Sequence, residues 1–135
     1  MATSELVEHL GEVHLRVLGG TLAELLAESA RALGELERQS IPVEDGTLRR
    51  EVALAAPDLV SLFVDWLNEL IYLSETGPWT PEQAQIHLAD EREIRATVSG
   101  PRLAAPPSLV KAATLHRAKV MQTPDGWLAE VLLDV

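Results

Sequence analysis

Regular patterning begins at Glu12. Val13, Leu15 and Val17 alternate with His14 and Arg16, the period-two signature of a half-buried strand. Gly19-Gly20 interrupts it. Thr21-Leu22-Ala23-Glu24 then forms a capping box, in which a Thr and a Glu three residues on satisfy each other's exposed amide donors. Leu22, Leu25, Leu26, Ala30, Leu33 and Leu36 follow at helical spacing, with Glu24, Glu28, Arg31, Glu35 and Arg38 on the opposite stripe. This predicts an amphipathic helix that stops before Pro42. Asp45-Gly46 reads as a turn, and 48–55 as a second strand. Pro57-Asp58 opens a second helix, because proline suits a first turn where its missing amide costs nothing. Leu59, Leu62, Phe63, Trp66, Leu67, Leu70, Ile71 and Leu73 give that helix a wide apolar face, and Gly77-Pro78 ends it.

The rest of the chain reads as strands. Ala84, Ile86 and Leu88 alternate with polar residues, as do Ile94, Ala96 and Val98, so 83–99 is expected to be a hairpin turning at Asp90-Glu91. Residues 101–107 form a Pro-rich loop. A strand from 110 to 122, bent in its middle, leads to the hairpin turn Thr123-Pro124-Asp125-Gly126. The last strand, from Trp127 to Asp134, is apolar on both faces and so belongs at the centre of a sheet. The expected architecture is α+β, with two helices on one face of a mostly antiparallel sheet of about six strands. At 135 residues the chain is expected to be a single domain, 1–135.

Composition narrows the function. Cysteine is absent, which excludes disulfides and thiolate chemistry. No run of about 18 apolar residues is present to span a membrane, and the first residues lack the pattern of a secretion signal, so a cytoplasmic protein is expected. The net charge of -10 repels phosphate backbones, so no direct nucleic-acid binding is expected. The charge is uneven: residues 101–135 hold four of the 11 Lys and Arg but only three of the 21 acids. Trp66 and Trp127 sit in apolar patterns and read as core. Trp79, after Gly77-Pro78, reads as a loop residue free to touch a partner.

The common catalytic signatures are missing. There is no phosphate-binding loop, no GxGxxG, no HExxH and no nucleophile elbow. His9 and His14, five apart, would fall on opposite faces of one strand and would not share an ion. What the residues offer is a carboxylate site: Glu12 at the start of one strand, Asp134 at the end of another, and the α-carboxylate of Val135. Hard cations such as Ca²⁺ or Mg²⁺ take oxygen ligands of this kind. The site needs the first and last strands to be neighbours; otherwise Asp134 only solvates a strand end.

Four segments in order resemble the archease family. Glu8-His9-Leu10-Gly11-Glu12-Val13-His14-Leu15-Arg16 is similar to its E-H-T-A-D-I-G-I-R stretch, and Thr21-Leu22-Ala23-Glu24-Leu25-Leu26 to T-L-E-E-L-F. Residues 62–73 resemble the helix L-L-x-x-W-L-N-E-L-L-Y-L. Residues 110–116 and 125–135 resemble I-K-A-V-T-Y-H and D-G-W-x-A-x-V-x-L-D-I.

The resemblance implies a protein cofactor of RtcB-type RNA ligases. Such a cofactor is non-enzymatic, promotes guanylation of the ligase and restores its multiple turnover in tRNA splicing and RNA repair. It also implies a divalent metal ion, calcium, held by Glu12, Asp134 and the Val135 carboxylate. Lys111 and His116 occupy the positions of the family's lysine and histidine, and His9 stands beside Glu12 as a further activation residue. Glu12 departs from the family's Asp, His14 from its Gly, Leu10 from its Thr and Leu115 from its Tyr. Two alternatives come from other classes: a general chaperone or adaptor using the acidic surface, and a small metal-dependent hydrolase. The hydrolase lacks a positioned general base.

Overall fold

The computed structural model describes residues 1–135. The chain runs β1 (Thr3–His9), β2 (Glu12–Gly19), α1 (Leu22–Glu37), a 3₁₀ turn (Arg38–Ser40), β3 (Val43–Ala55), α2 (Leu59–Thr76), β4 (Gln83–Ala89), β5 (Glu93–Leu103), β6 (Ala112–Thr123) and β7 (Gly126–Asp134). The α+β class with two helices and antiparallel strands holds. The single sheet of about six strands resolves instead into two sheets. One is four-stranded, in the order β1-β2-β7-β6; the other is three-stranded, in the order β3-β5-β4. The physical reason lies in the helices. Their apolar stripes are wide enough to bury strands of both sheets: α1 packs on β2 and β4, and α2 on β6 and β3.

Most elements form where the patterning places them. Thr21 caps α1, its hydroxyl accepting from the Glu24 amide at 3.1 Å. Asp58 caps α2, its carboxylate accepting from the Ser61 amide at 2.8 Å. Pro57 therefore precedes the cap rather than opening the first turn. β7 is central, between β2 and β6, with Ala129, Val131 and Leu133 buried. Val13, Leu15 and Val17 of β2 face the same core, together with Leu25, Leu33, Leu62, Phe63 and Leu67. Trp66 is fully buried and its Nε1 donates to the Leu26 carbonyl at 3.1 Å, tying α2 to α1. Each such apolar side chain contributes about 1.5–3 kcal/mol on burial.

Three expectations fail for identifiable reasons. β1 lacks apolar alternation because it is an exposed edge strand, held by its ladder to β2. Asp45-Gly46 is no chain reversal: it lies inside β3, where the register against β5 shifts between Val43 and Thr47 and Gly46 takes φ 106°. Trp79 is not a surface residue but is fully buried, its Nε1 donating to the Leu73 carbonyl at 2.8 Å. Gly77-Pro78 folds the chain back over the end of α2 and so turns the ring inward. Neither helix is long and apolar enough to cross a membrane.

One charged residue lies inside. Glu37, at the end of α1, is buried, and its Oε1 has no hydrogen-bond partner. Burial pushes its carboxyl up to about 8, Glu75 adds repulsion, and Arg38 offsets part of it. The folded state therefore holds this proton more tightly than the unfolded chain. The stabilisation is complete below the ordinary carboxylate range and is lost as pH rises through about 8. Glu37→Gln is expected to stabilise the protein by roughly a few kcal/mol at pH 8.5, and by much less at pH 4.5. Urea unfolding at the two pH values checks this; equal effects at both would contradict it.

Candidate functional site

The hairpin that begins the chain builds one corner of the four-stranded sheet. Leu10-Gly11 joins β1 to β2, and Gly11 takes φ 73°, a left-handed conformation open to glycine without steric cost. The hairpin makes His9 the register partner of Glu12. On the other side of β2, Glu12 pairs with Asp134 of β7, and Asp134 pairs with Ala112 of β6. A row therefore crosses four strands: His9, Glu12, Asp134, Ala112. Directly opposed residues in antiparallel pairs share a face, with Cβ atoms about 4.5–5.5 Å apart. The Val135 amide donates to the Gly11 carbonyl at 3.2 Å, and the Lys111 amide to the Asp134 carbonyl at 2.8 Å. The β1–β2 turn and the end of β7 meet here.

The expected residues are thus placed as follows. Glu12, Asp134 and Val135 come together, with His9 beside Glu12 and Lys111 beside Asp134. His116 stands apart, exposed in an irregular stretch of β6. His9 and His14 are not on opposite faces of one strand. They lie on two strands and both line one cavity of about 310 Å³, with Glu12, Arg117, Glu130 and Leu132. The turn at Leu10-Gly11, unseen in the strand count, reverses the parity. A smaller cavity of about 120 Å³ lies on the other side of Glu12, lined also by Glu8, His9, Val13, Leu36, Leu109 and Val135.

The donor set can be tested for a cation. Glu12 and Asp134 supply hard carboxylate oxygens on one face. No group of three or more His, Asp or Glu side chains converges to hold an ion. Two carboxylates are oxygen donors of the kind a hard divalent cation takes, and they are fewer than such an ion needs. The remaining positions of a coordination number of about 6–8 would fall to water or a partner.

Two residues of the larger cavity carried no sequence signal. Glu130 pairs with two cations, Lys119 Nζ at 3.3 Å and Arg16 Nε at 3.4 Å, and lies 3.8 Å from the His14 imidazole Nε2. Arg117 has φ 60°, the one non-glycine residue with positive φ. It sits where residues 115–118 of β6 stand against Val131 alone, between the pairs Thr114–Leu132 and Lys119–Glu130. Such a backbone costs about 1–2 kcal/mol. The largest groove, about 590 Å³, lies elsewhere, between α1 and β4. Its one lining cation, Arg31, is already bound to Glu28 at 2.8 Å and to Glu35 at 2.6 Å.

Asn68 fixes the β6 side of the site. Its side-chain amide donates to the Ala113 carbonyl at 3.0 Å, and its oxygen accepts from the Ala113 amide at 2.8 Å. One α2 side chain thus takes both backbone bonds of the residue beside Ala112.

The comparisons agree with this architecture. The model of the Archease protein family (MTH1598/TM1083) matches residues 5–135. Protein archease of Methanosarcina acetivorans is 34% identical, over 97% of this chain and 94% of that protein. Protein archease of Archaeoglobus fulgidus is 28% identical, over 96% of each. The solution structure of Methanobacterium thermoautotrophicum protein 1598 superimposes with a TM-score of 0.66 at 21% identity, covering 98% of both chains. The crystal structure of a Thermotoga maritima archease, described as a possible chaperone, gives 0.66 at 23% identity, covering 96% of this chain and 94% of that one. The fold is that of a small α+β protein with two helices and antiparallel sheets. The chain belongs to the archease family.

Asn68→Ala should lower the unfolding free energy by about 1–3 kcal/mol, since it leaves a backbone donor and acceptor of β6 unpaired. Urea denaturation measures it. Unchanged stability would mean that the clamp does not hold β6.

Proposed function

We propose that the chain is a non-enzymatic activator of an RtcB-type RNA ligase, acting in the cytoplasm. It promotes guanylation of the ligase and sustains its turnover in tRNA splicing or RNA repair. The observation that carries this reading is the pairing of Glu12 with Asp134, at one corner of a chain matched to the archease family over residues 5–135. Glu12, Asp134 and the Val135 carboxylate hold a divalent cation, calcium by family resemblance. The ion supplies fixed positive charge at an otherwise acidic corner. Lys111 and His9 contact the ligase beside it, and His116 contacts the ligase from further along β6. A net charge of -10 suits approach to a basic cleft on the partner and disfavours direct binding of nucleic acid.

Glu sits here in place of the family's Asp. The extra methylene sets its oxygens further from the strand than those of an Asp would be. The smaller claim, a chaperone acting on other proteins, draws on the same acidic surface and on the description of the Thermotoga maritima protein. Pull-down with mass spectrometry separates the two: recovery of other clients without any RNA ligase favours the chaperone.

The direct test is ligation with limiting ligase. Added protein should raise turnover. Glu12→Gln and Asp134→Asn should each cut the stimulation by about tenfold or more, since even groups that merely orient metal ligands are worth that much. Residues appended after Val135 should do the same. Unchanged turnover, or full stimulation by both variants with the fold intact, would reject the reading.

A further inference from the structure

The cavity beside Glu12 is lined by one full cation, Arg117, and two carboxylates, Glu12 and Glu130, together with His9, His14 and Leu132. Arg16 and Lys119 approach Glu130 from two sides, so two full cations face one carboxylate. Arg117 makes no ion pair, and neither does His9. Arg117, His9 and His14 line the same space of about 310 Å³. Glu12 is the one lining acid without a cation within ion-pair distance, and its register partner on β7 is Asp134. Glu5, opposite Arg16 in the β1–β2 ladder, lines a different depression.

Arg117 also sits in a strained conformation. Glycine would take φ 60° freely, yet a long cationic side chain occupies it, on a bulge that lifts it over the sheet. Bulges of this kind re-aim side chains, and strained residues persist where the surroundings over-determine them, often at ligand clamps. A guanidinium presents a planar fork of donors that matches a phosphate bidentately, and imidazoles supply further N–H donors. Leu132 forms an apolar floor.

We infer that the cavity bounded by His9, His14 and Arg117 binds the phosphoryl group of a phosphate monoester, with Arg117 as its principal ligand. The source is free phosphate or the phosphate of a nucleotide; the chemistry recognised is the same. This site adjoins the proposed cation position but does not need it, and the test uses the isolated chain, so its outcome is independent of the ligase reading.

Inorganic phosphate and a 5′-nucleoside monophosphate are titrated separately into ¹⁵N-labelled protein in the presence of EDTA. Both should shift the amides of residues 11–14, 116–118 and 130–132. Equal affinities would assign recognition to the phosphoryl group alone, and a tighter mononucleotide would add the nucleoside to the same site. Arg117→Gly should weaken binding by about tenfold or more, the worth of a charge-assisted hydrogen bond. Because glycine relieves the backbone, the variant should melt no lower than wild type. Glu12→Gln should tighten binding, since it removes the opposing charge. Absence of shifts with either probe would overturn the proposal. So would binding that survives Arg117→Gly, or binding lost in Glu12→Gln, which would make Glu12 a support of the anion rather than its opposing charge.

Discussion

The pairing of β2 with β7 is the constraint on which the site depends. It joins residues more than a hundred positions apart, and its register decides everything at the corner. Glu12 meets Asp134, while Val13, Leu15 and Val17 turn inward to meet Leu133, Val131 and Ala129. A slip of one residue would send the acids to the core and the aliphatic side chains to water. The apolar core therefore enforces the polar geometry. Burial on one face of two strands places two carboxylates together on the other, at no cost beyond their mutual repulsion. A cation at that corner offsets this repulsion, which gives the acidic pair a physical reason to bind one.

The same sheet separates its charges. Along one end run Glu12 and Asp134. One step further in, His14, Arg16, Lys119 and Arg117 surround Glu130 or the cavity beside it. A molecule of net charge -10 thus carries adjoining acidic and basic places on one open sheet face.

How much of this was legible depended on the range of the interaction. Helix caps and stripes are local, so Thr21 and Asp58 announced α1 and α2. The Asp90 turn and the Thr123–Gly126 turn were readable for the same reason. β7 was readable as central because both its faces are apolar. Edge strand β1 was not, since an exposed strand needs no alternation. The division into two sheets was hidden as well, because alternation reports burial and says nothing of which strand is the neighbour. Trp79 was misplaced because its burial comes from a chain reversal rather than from its own pattern. At the site, the meeting of Glu12 with Asp134 was conditional on strand adjacency, and the adjacency is present. His14 and His9 were wrongly separated, since one tight turn changes the parity. Arg117 had no signal at all: its left-handed backbone is imposed by the bulge around it.

The central claim is that Glu12 and Asp134 act as one unit. A double-mutant cycle in the ligation assay tests it most directly, using Glu12→Gln, Asp134→Asn and the double variant. Residues that share one ion couple strongly, so the second substitution should cost almost nothing once the first is made. Losses that simply add would contradict the account, and would mean that the two carboxylates serve separate ends.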